Sequence, residues 1–293
     1  MGTFSPIGAP NRPNAEANIK TNTVMAAIDF SRRNALTELM DSDETDFATF
    51  RDCLIDLAKV NRLTLAYRPT MRFFADLARA GRLPRDRAIS VVDVGSGFGD
   101  MLRKIDRWAA GRGLRLDLTG IDLNPWSART VAEVTAPDRP IRYVTADVFD
   151  YRPPQPIDIV ISSLFTHHLD DAPLIRFVAW MEANSTVGWF VNDLRRHPFP
   201  YHAFRIATRA LRFHHFVQHD GPISIARAFD TRDWRDTLAA AGIAHVPAKA
   251  RSGLDRGWMP VRRQGHAPID QPPGAAEIRP QFPFRLCVAR VKA

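Results

Sequence analysis

Three glycines spaced two apart close the run Val91–Asp100, VVDVGSGFGD. Glycine has no Cβ, so such a turn can take positive φ and bring backbone N–H groups close to a ligand. A helix starting just beyond it would add the positive end of its dipole. A dinucleotide, a phosphate and the amino-acid end of S-adenosylmethionine (SAM) would all suit that backbone. Asp122 ends the next apolar run, LTGIDLNP. It lies about 20 residues past the glycines, the spacing of an acid that accepts hydrogen bonds from a ribose diol.

Two features separate these ligands. The pattern is G-x-G-x-G, whereas a pyrophosphate is held by G-x-G-x-x-G. Asp100 follows directly and would repel a pyrophosphate but not an ammonium group. Asp147, in YVTADVFDY, follows a third apolar run. An acid with a free backbone N–H there can read an adenine amino group and ring nitrogen. A nicotinamide oxidoreductase is disfavoured on the same grounds.

With these motifs together, the chain resembles the class I SAM-dependent methyltransferases. The resemblance rests on VVDVGSGFGD, TGIDLNP, YVTADVFDY and IDIVISSLFTHHLDD, over about residues 85–200, and the terminal strands extend it to the end. Within that class the chain is similar to the ubiquinone/menaquinone methyltransferase-like branch. It is also similar to bacterial methyltransferases found beside type III polyketide synthases, through KVNRLTLAYRPT, VNDLRR and QHDGPISIARAF. The resemblance implies that Asp93, Gly95, Ser96 and Gly97 hold the methionine moiety. Asp122 would hold the ribose, Leu123 would pack on adenine, and Asp147 with Val148 would read the adenine edge. Ser163 and Leu164 would lie near the sulfonium. S-adenosylhomocysteine (SAH) would be the product. The expected acceptor is a hydrophobic phenolic or polyketide-like small molecule, methylated on oxygen. C-methylation of a quinone or aromatic ring is the alternative, with a nucleic-acid methyltransferase or a silent SAM-binding scaffold further off.

A phenol with pKa near ~10 is mostly protonated at neutral pH, so a positioned base would assist its methylation. His167 and His168 follow the fourth apolar run, at the edge where open α/β sheets bind ligands. Histidine is well matched to base work near neutral pH. Either could instead cap a helix or bond a carbonyl. His219, in QHDGP, is a rival base in an expected turn, where its alternative is a turn-fixing bond to Asp220. Asn192, Asp193 and Arg195 could orient a polar substrate end, although Arg195 and Arg196 read equally as a solvated basic pair. Arg68, next to Tyr67, could pair with the SAM carboxylate or simply end a helix. Tyr201, with Phe199, Phe204, Phe213 and Phe216, could face substrate, or the aromatics could form core.

These residues need elements to hold them. Strands are expected at 89–94, 116–121, 141–145, 157–162, 188–192, 243–247 and 284–291, alternating with helices at 101–110, 126–135, 173–183, 201–213 and 232–241. That alternation predicts an α/β, Rossmann-like, seven-stranded and mostly parallel sheet with helices on both faces. Residues 1–28 read as a poorly ordered leader and 29–84 as a helical N-terminal subdomain. Residues 85–293 read as the SAM-binding domain, with 251–281 as an inserted loop.

Composition narrows the classes further. The chain has 293 residues, 45% apolar and 25% charged, with a net charge of +8. Its basic residues are scattered, and Ser162-Ser163-Leu164-Phe165 stands where methyltransferases of exocyclic base amines carry Asn/Asp-Pro-Pro-aromatic, so a nucleic-acid partner is disfavoured. Cys53 and Cys287 provide neither a disulfide framework nor a Cys-rich metal site, and no metal is assigned. The first residues lack the apolar centre of a secretory signal, and no run is long enough to span a bilayer. A cytoplasmic protein is expected, with homodimerisation left open.

Overall fold

The computed structural model describes residues 28–41, 46–247 and 274–292. Eight strands form a single sheet: β1 (Ile89–Val94), β2 (Leu116–Asp122), β3 (Ile141–Thr145), β4 (Ile157–Ser163), β5 (Ser185–Leu194), β6 (His245–Pro247), β7 (Ala276–Gln281) and β8 (Arg285–Val291). Their order is β3-β2-β1-β4-β5-β8-β7-β6. Neighbouring strands from β3 to β5 run parallel, whereas β8 is antiparallel to both β5 and β7. β1 is buried along its whole length, as a strand covered on both faces must be, and its Val/Ile content suits that position.

Helices cover both faces. On one, α5 (Asp171–Asn184) and α8 (Thr231–Ala240) bring Phe177, Met181, Trp234 and Leu238 onto Val92, Ile121, Val160 and Trp189. On the other, α2 (Arg68–Arg79) and α3 (Asp100–Ala110) press Phe73, Phe74, Leu102 and Ile105 onto Val91, Leu118, Ile159 and Phe190. Thus α2, expected with the N-terminal subdomain, packs on the sheet. α4 (Pro125–Val134) follows β2; Asn124 caps it by accepting from the Trp126 N–H. α7 (His215–Arg227) packs against both α1 (Phe47–Leu63) and α6 (Pro198–Ala210). Phe47 and Phe50 of α1 meet Trp126 edge-on, which anchors α1 on α4.

The expected count of seven strands is corrected to eight. Residues 276–281, read as loop, form β7, while 251–273 and the leader residues 1–27 lie outside the described residues. In AEIRPQ, Pro280 reads as a breaker, but β8 and β6 pair with the strand on either side. α7 is likewise unforeseen, because Gly221-Pro222 reads as a turn. Both residues lie inside the helix. A Cβ on Gly221 would overlap the Phe204 ring, so glycine there lets α6 approach α7 closely.

Candidate active site

Parallel β1 has β2 on one side and β4 on the other, so the strand order reverses beside it and leaves a crevice at the carboxyl ends. A cavity of about 1430 Å³ opens there, roofed by α1, α6 and α7. Its floor is the glycine turn. Gly95 has φ +71°, and a Cβ on it would stand 2.5 Å from Cγ of Phe165, so the backbone is bare by necessity. The Gly97 N–H donates to Asp122 Oδ2 at 2.8 Å and the Asn124 N–H to Oδ1 at 3.0 Å, which ties the turn to the end of β2.

Three carboxylates surround this floor. Asp93 is fully buried and lines the cavity, and its Oδ1 has no partner. Burial, then the charges of Asp100 and Asp122, raise its carboxyl well above the usual range. Burial also raises Asp122, against the hydrogen bonds it accepts. Asp100 accepts from the Tyr67 hydroxyl, and burial followed by that carboxylate pushes the Tyr67 phenol upward. An orphaned acid among two others has excess negative potential, the complement of a ligand carrying an ammonium and a sulfonium.

At the other strand ends, Leu123, Asp147, Val148, Ser163 and Leu164 all line the cavity. Leu123 is 72% exposed, an apolar side chain left bare at the cavity rim. Asp147 Oδ1 accepts from the Phe149 N–H, which holds the loop after β3. Asn192 lines the cavity but spends its amide on the Ala66 carbonyl (2.7 Å) and Thr70 Oγ1 (3.2 Å), binding β5 to α2.

A second polar group stands after β4. Thr166–His168 form one 3-10 turn. Asp193, completely buried, accepts from Thr166 Oγ1 at 2.5 Å and from the His167 N–H at 3.0 Å, and its Oδ1 lies 2.7 Å from His167 Nδ1. Burial alone would raise this carboxyl, but the His167 charge and these hydrogen bonds hold it well below the usual range. An ionised carboxylate only accepts, so Nδ1 carries a hydrogen, and the neutral form of the ring would present its lone pair at Nε2. Glu38, from the N-terminal segment, faces His167 and His168. Arg33 and Arg227 donate to the carbonyls around the turn, including those of His167 and His168.

Several expected roles are corrected. Arg68 is exposed and is not among the cavity-lining residues. The cations that do line it include Arg285, which is buried and has Nη1 unpartnered. His219 lies in α7 with its side chain 47% exposed, bonded to Asp220 and off the cavity. Tyr201 is core, packed edge-on against Phe30 and beside Ile225, while Phe204 and Phe216 reach the cavity. Arg195 lines the cavity, but Arg196 is not solvated: it is buried and paired with Asp233 at 2.7 Å. Asp193 orients a histidine instead of facing substrate. Sequence reasoning missed Glu38 and Arg285, neither of which sits in a recognisable motif. It gave Asp220 only a bond to His219, whereas Asp220 also accepts from the Leu39 and Met40 N–H groups.

The sheet is doubly wound, and its switch-point crevice gathers three carboxylates around a floor of bare backbone. Residues 91–183 match the family model described as a methyltransferase domain, and the chain carries that domain. No curated protein matches the sequence. Among solved structures, a plantazolicin methyltransferase with SAH is 14% identical, with 68% of this chain and 65% of that one covered at a TM-score of 0.43. The chain thus spans just under two-thirds of that enzyme's length. Magnesium protoporphyrin IX methyltransferase from Synechocystis PCC 6803, with bound SAM, is 12% identical, with 87% and 88% covered at 0.46. The CMeT domain of citrinin polyketide synthase is 12% identical, with 73% and 49% covered at 0.45. No helix among the described residues is long and apolar enough to cross a membrane.

Proposed function

We propose that the protein transfers a methyl group from SAM to a hydroxyl oxygen of a hydrophobic phenolic or polyketide-like small molecule. The observation that carries this reading is the buried Asp193–His167 pair, 2.7 Å apart, whose histidine lines the cavity. A base matters most where the acceptor must lose a proton as it attacks.

When bound, SAM would supply an activated methyl on a cationic sulfur, the C–S electron pair staying with sulfur as the thioether of SAH. Asp93 and the turn Gly95–Gly97 would hold the methionine end, and Arg285, whose Nη1 has no partner, would take the carboxylate role expected of Arg68. Asp122 accepts from the ribose hydroxyls, Leu123 covers the adenine, and Asp147 with Val148 contacts its edge. Ser163 and Leu164 bound the transfer point. His167 Nε2 takes the hydroxyl proton, and Asp193 stabilises the imidazolium that results. His168 and Arg195 border the acceptor, while Leu57, Phe204, Phe216 and Val217 give it apolar walls. Drug-sized pockets run to about 1000 Å³, so the volume leaves room for a polycyclic acceptor beside the cofactor.

The test is transfer from methyl-labelled SAM to a panel of alkylphenols, polyketide-derived resorcinols and quinones, with products mapped by NMR. O-methylated phenols, with turnover lost in His167→Ala while SAH affinity is kept, support the reading. Ring-carbon methylation, or full turnover in His167→Ala, overturns it.

A further inference from the structure

The reaction above uses one nitrogen of His167 and leaves Glu38 without a role. Glu38 is 5% exposed and His167 3% exposed. Glu38 Oε1 stands 3.8 Å from His167 Nε2, and Oε2 stands 3.9 Å from His168 Nε2. These gaps are too long for hydrogen bonds. One ligand atom from each residue can be chosen so that all three lie within 4.8 Å of one another. A Zn²⁺ ion binds such atoms at about 2.0–2.2 Å, which sets tetrahedral ligand atoms roughly 3.4 Å apart, so side-chain shifts of up to about 1 Å would bring the three onto one ion.

The surroundings are those of a supported site. Asp193 fixes Nδ1 of His167, the carboxylate–histidine arrangement that orients an imidazole toward a metal. Ser224 Oγ donates to Glu38 Oε1 at 2.9 Å, which orients the carboxylate. The Arg227 charge, 4.0 Å from Glu38, is countered by Asp193 on the far side of His167. Glu38, His167 and His168 all line the cavity, which leaves a fourth position open.

We infer that Glu38, His167 and His168 form a three-ligand site for a divalent cation of the Zn²⁺ class. This corrects the sequence reading, which assigned no metal. Two imidazoles and one carboxylate favour Zn²⁺, Co²⁺ or Ni²⁺ over Mg²⁺ or Ca²⁺. The inference deepens the proposed function, because the ion and the acceptor proton compete for one lone pair on Nε2. A filled site therefore stops methyl transfer while SAM still binds.

The test is calorimetric titration of Zn²⁺ into chelator-stripped full-length protein holding SAH, together with the visible absorption of the Co²⁺ form. One equivalent should bind, with the intense bands of a four- or five-coordinate site. Glu38→Gln and the half-buried His168→Asn should each weaken it at least ~10-fold with the fold intact by circular dichroism. Absence of stoichiometric binding, or equal binding by both variants, overturns the inference. Zn²⁺ binding by a protein that methylates no hydroxyl keeps this site and sinks the proposed acceptor chemistry. Hydroxyl methylation by a protein that ignores Zn²⁺ does the reverse.

Discussion

Asp193→Asn is nearly isosteric and removes one charge from a fully buried site. The carboxylate accepts from four donors: Thr166 Oγ1, the His167 N–H, His167 Nδ1 and the Leu194 N–H, the last at 2.7 Å. An amide offers one oxygen, so its NH₂ must oppose at least one backbone N–H in either orientation. That leaves a buried donor unmet, at a cost of about 1–3 kcal/mol in stability. The imidazolium formed during transfer also loses its charge-assisted partner, worth about 1.5–3 kcal/mol. At ~1.4 kcal/mol per decade, kcat should fall about 10- to 150-fold. Asp193 does not line the cavity, so the Kd for SAH should stay within about twofold. Single-turnover transfer from labelled SAM and calorimetry with SAH separate the two effects. A folded variant whose kcat stays within threefold of wild type would refute the role of the pair, and so would a loss of SAH affinity matching the loss of rate.

Asp93 should make cofactor affinity depend on pH. Its carboxyl is raised in the free protein, and a bound ammonium favours the ionised form, so SAH affinity should fall by up to ~10-fold per pH unit below the free-state pKa. Asp93→Asn should flatten that slope, and a flat wild-type profile by calorimetry would contradict the assignment. In stability the sign is opposite: this group favours the folded state below its unfolded pKa near ~3.9, and that contribution is lost as pH rises through the folded value. Gly95→Ala forces a side chain into φ +71° and against Phe165, which should cost about 2–5 kcal/mol in all and lower Tm by several degrees. An unchanged melting curve would mean the turn has another way to relax. His219→Ala should keep kcat within about twofold, because its exposed ring lies off the cavity; a larger loss in initial-rate assays would restore it as a base.

The glycine-turn side of this cavity was legible because contiguous residues carry it. An apolar run ending in G-x-G-x-G produces the strand and the bare turn together, and an acid at the end of a strand points to the same edge wherever the sheet is parallel. Asn124 and Asp230 cap α4 and α8 by accepting from N–H groups two or three residues away, which is equally local. Where tertiary contact overrode the local signal, the reading failed. Gly221-Pro222 spells a turn, yet α6 packs against it and keeps it helical. AEIRPQ spells a loop, yet two neighbouring strands pair with it.

What the linear chain determined by itself is the glycine-turn half of the cavity: strand, turn and acid follow from propensities and hydrogen bonds spanning a few residues. What only the tertiary structure decided is the histidine half. Glu38 meets His167 and His168 across more than a hundred residues, Asp193 reaches back from β5 to a turn after β4, and Arg285 on β8 replaces Arg68 at the cavity wall. A side chain's partner at that range is set by which strands and helices pack together, and no local pattern of residues encodes it.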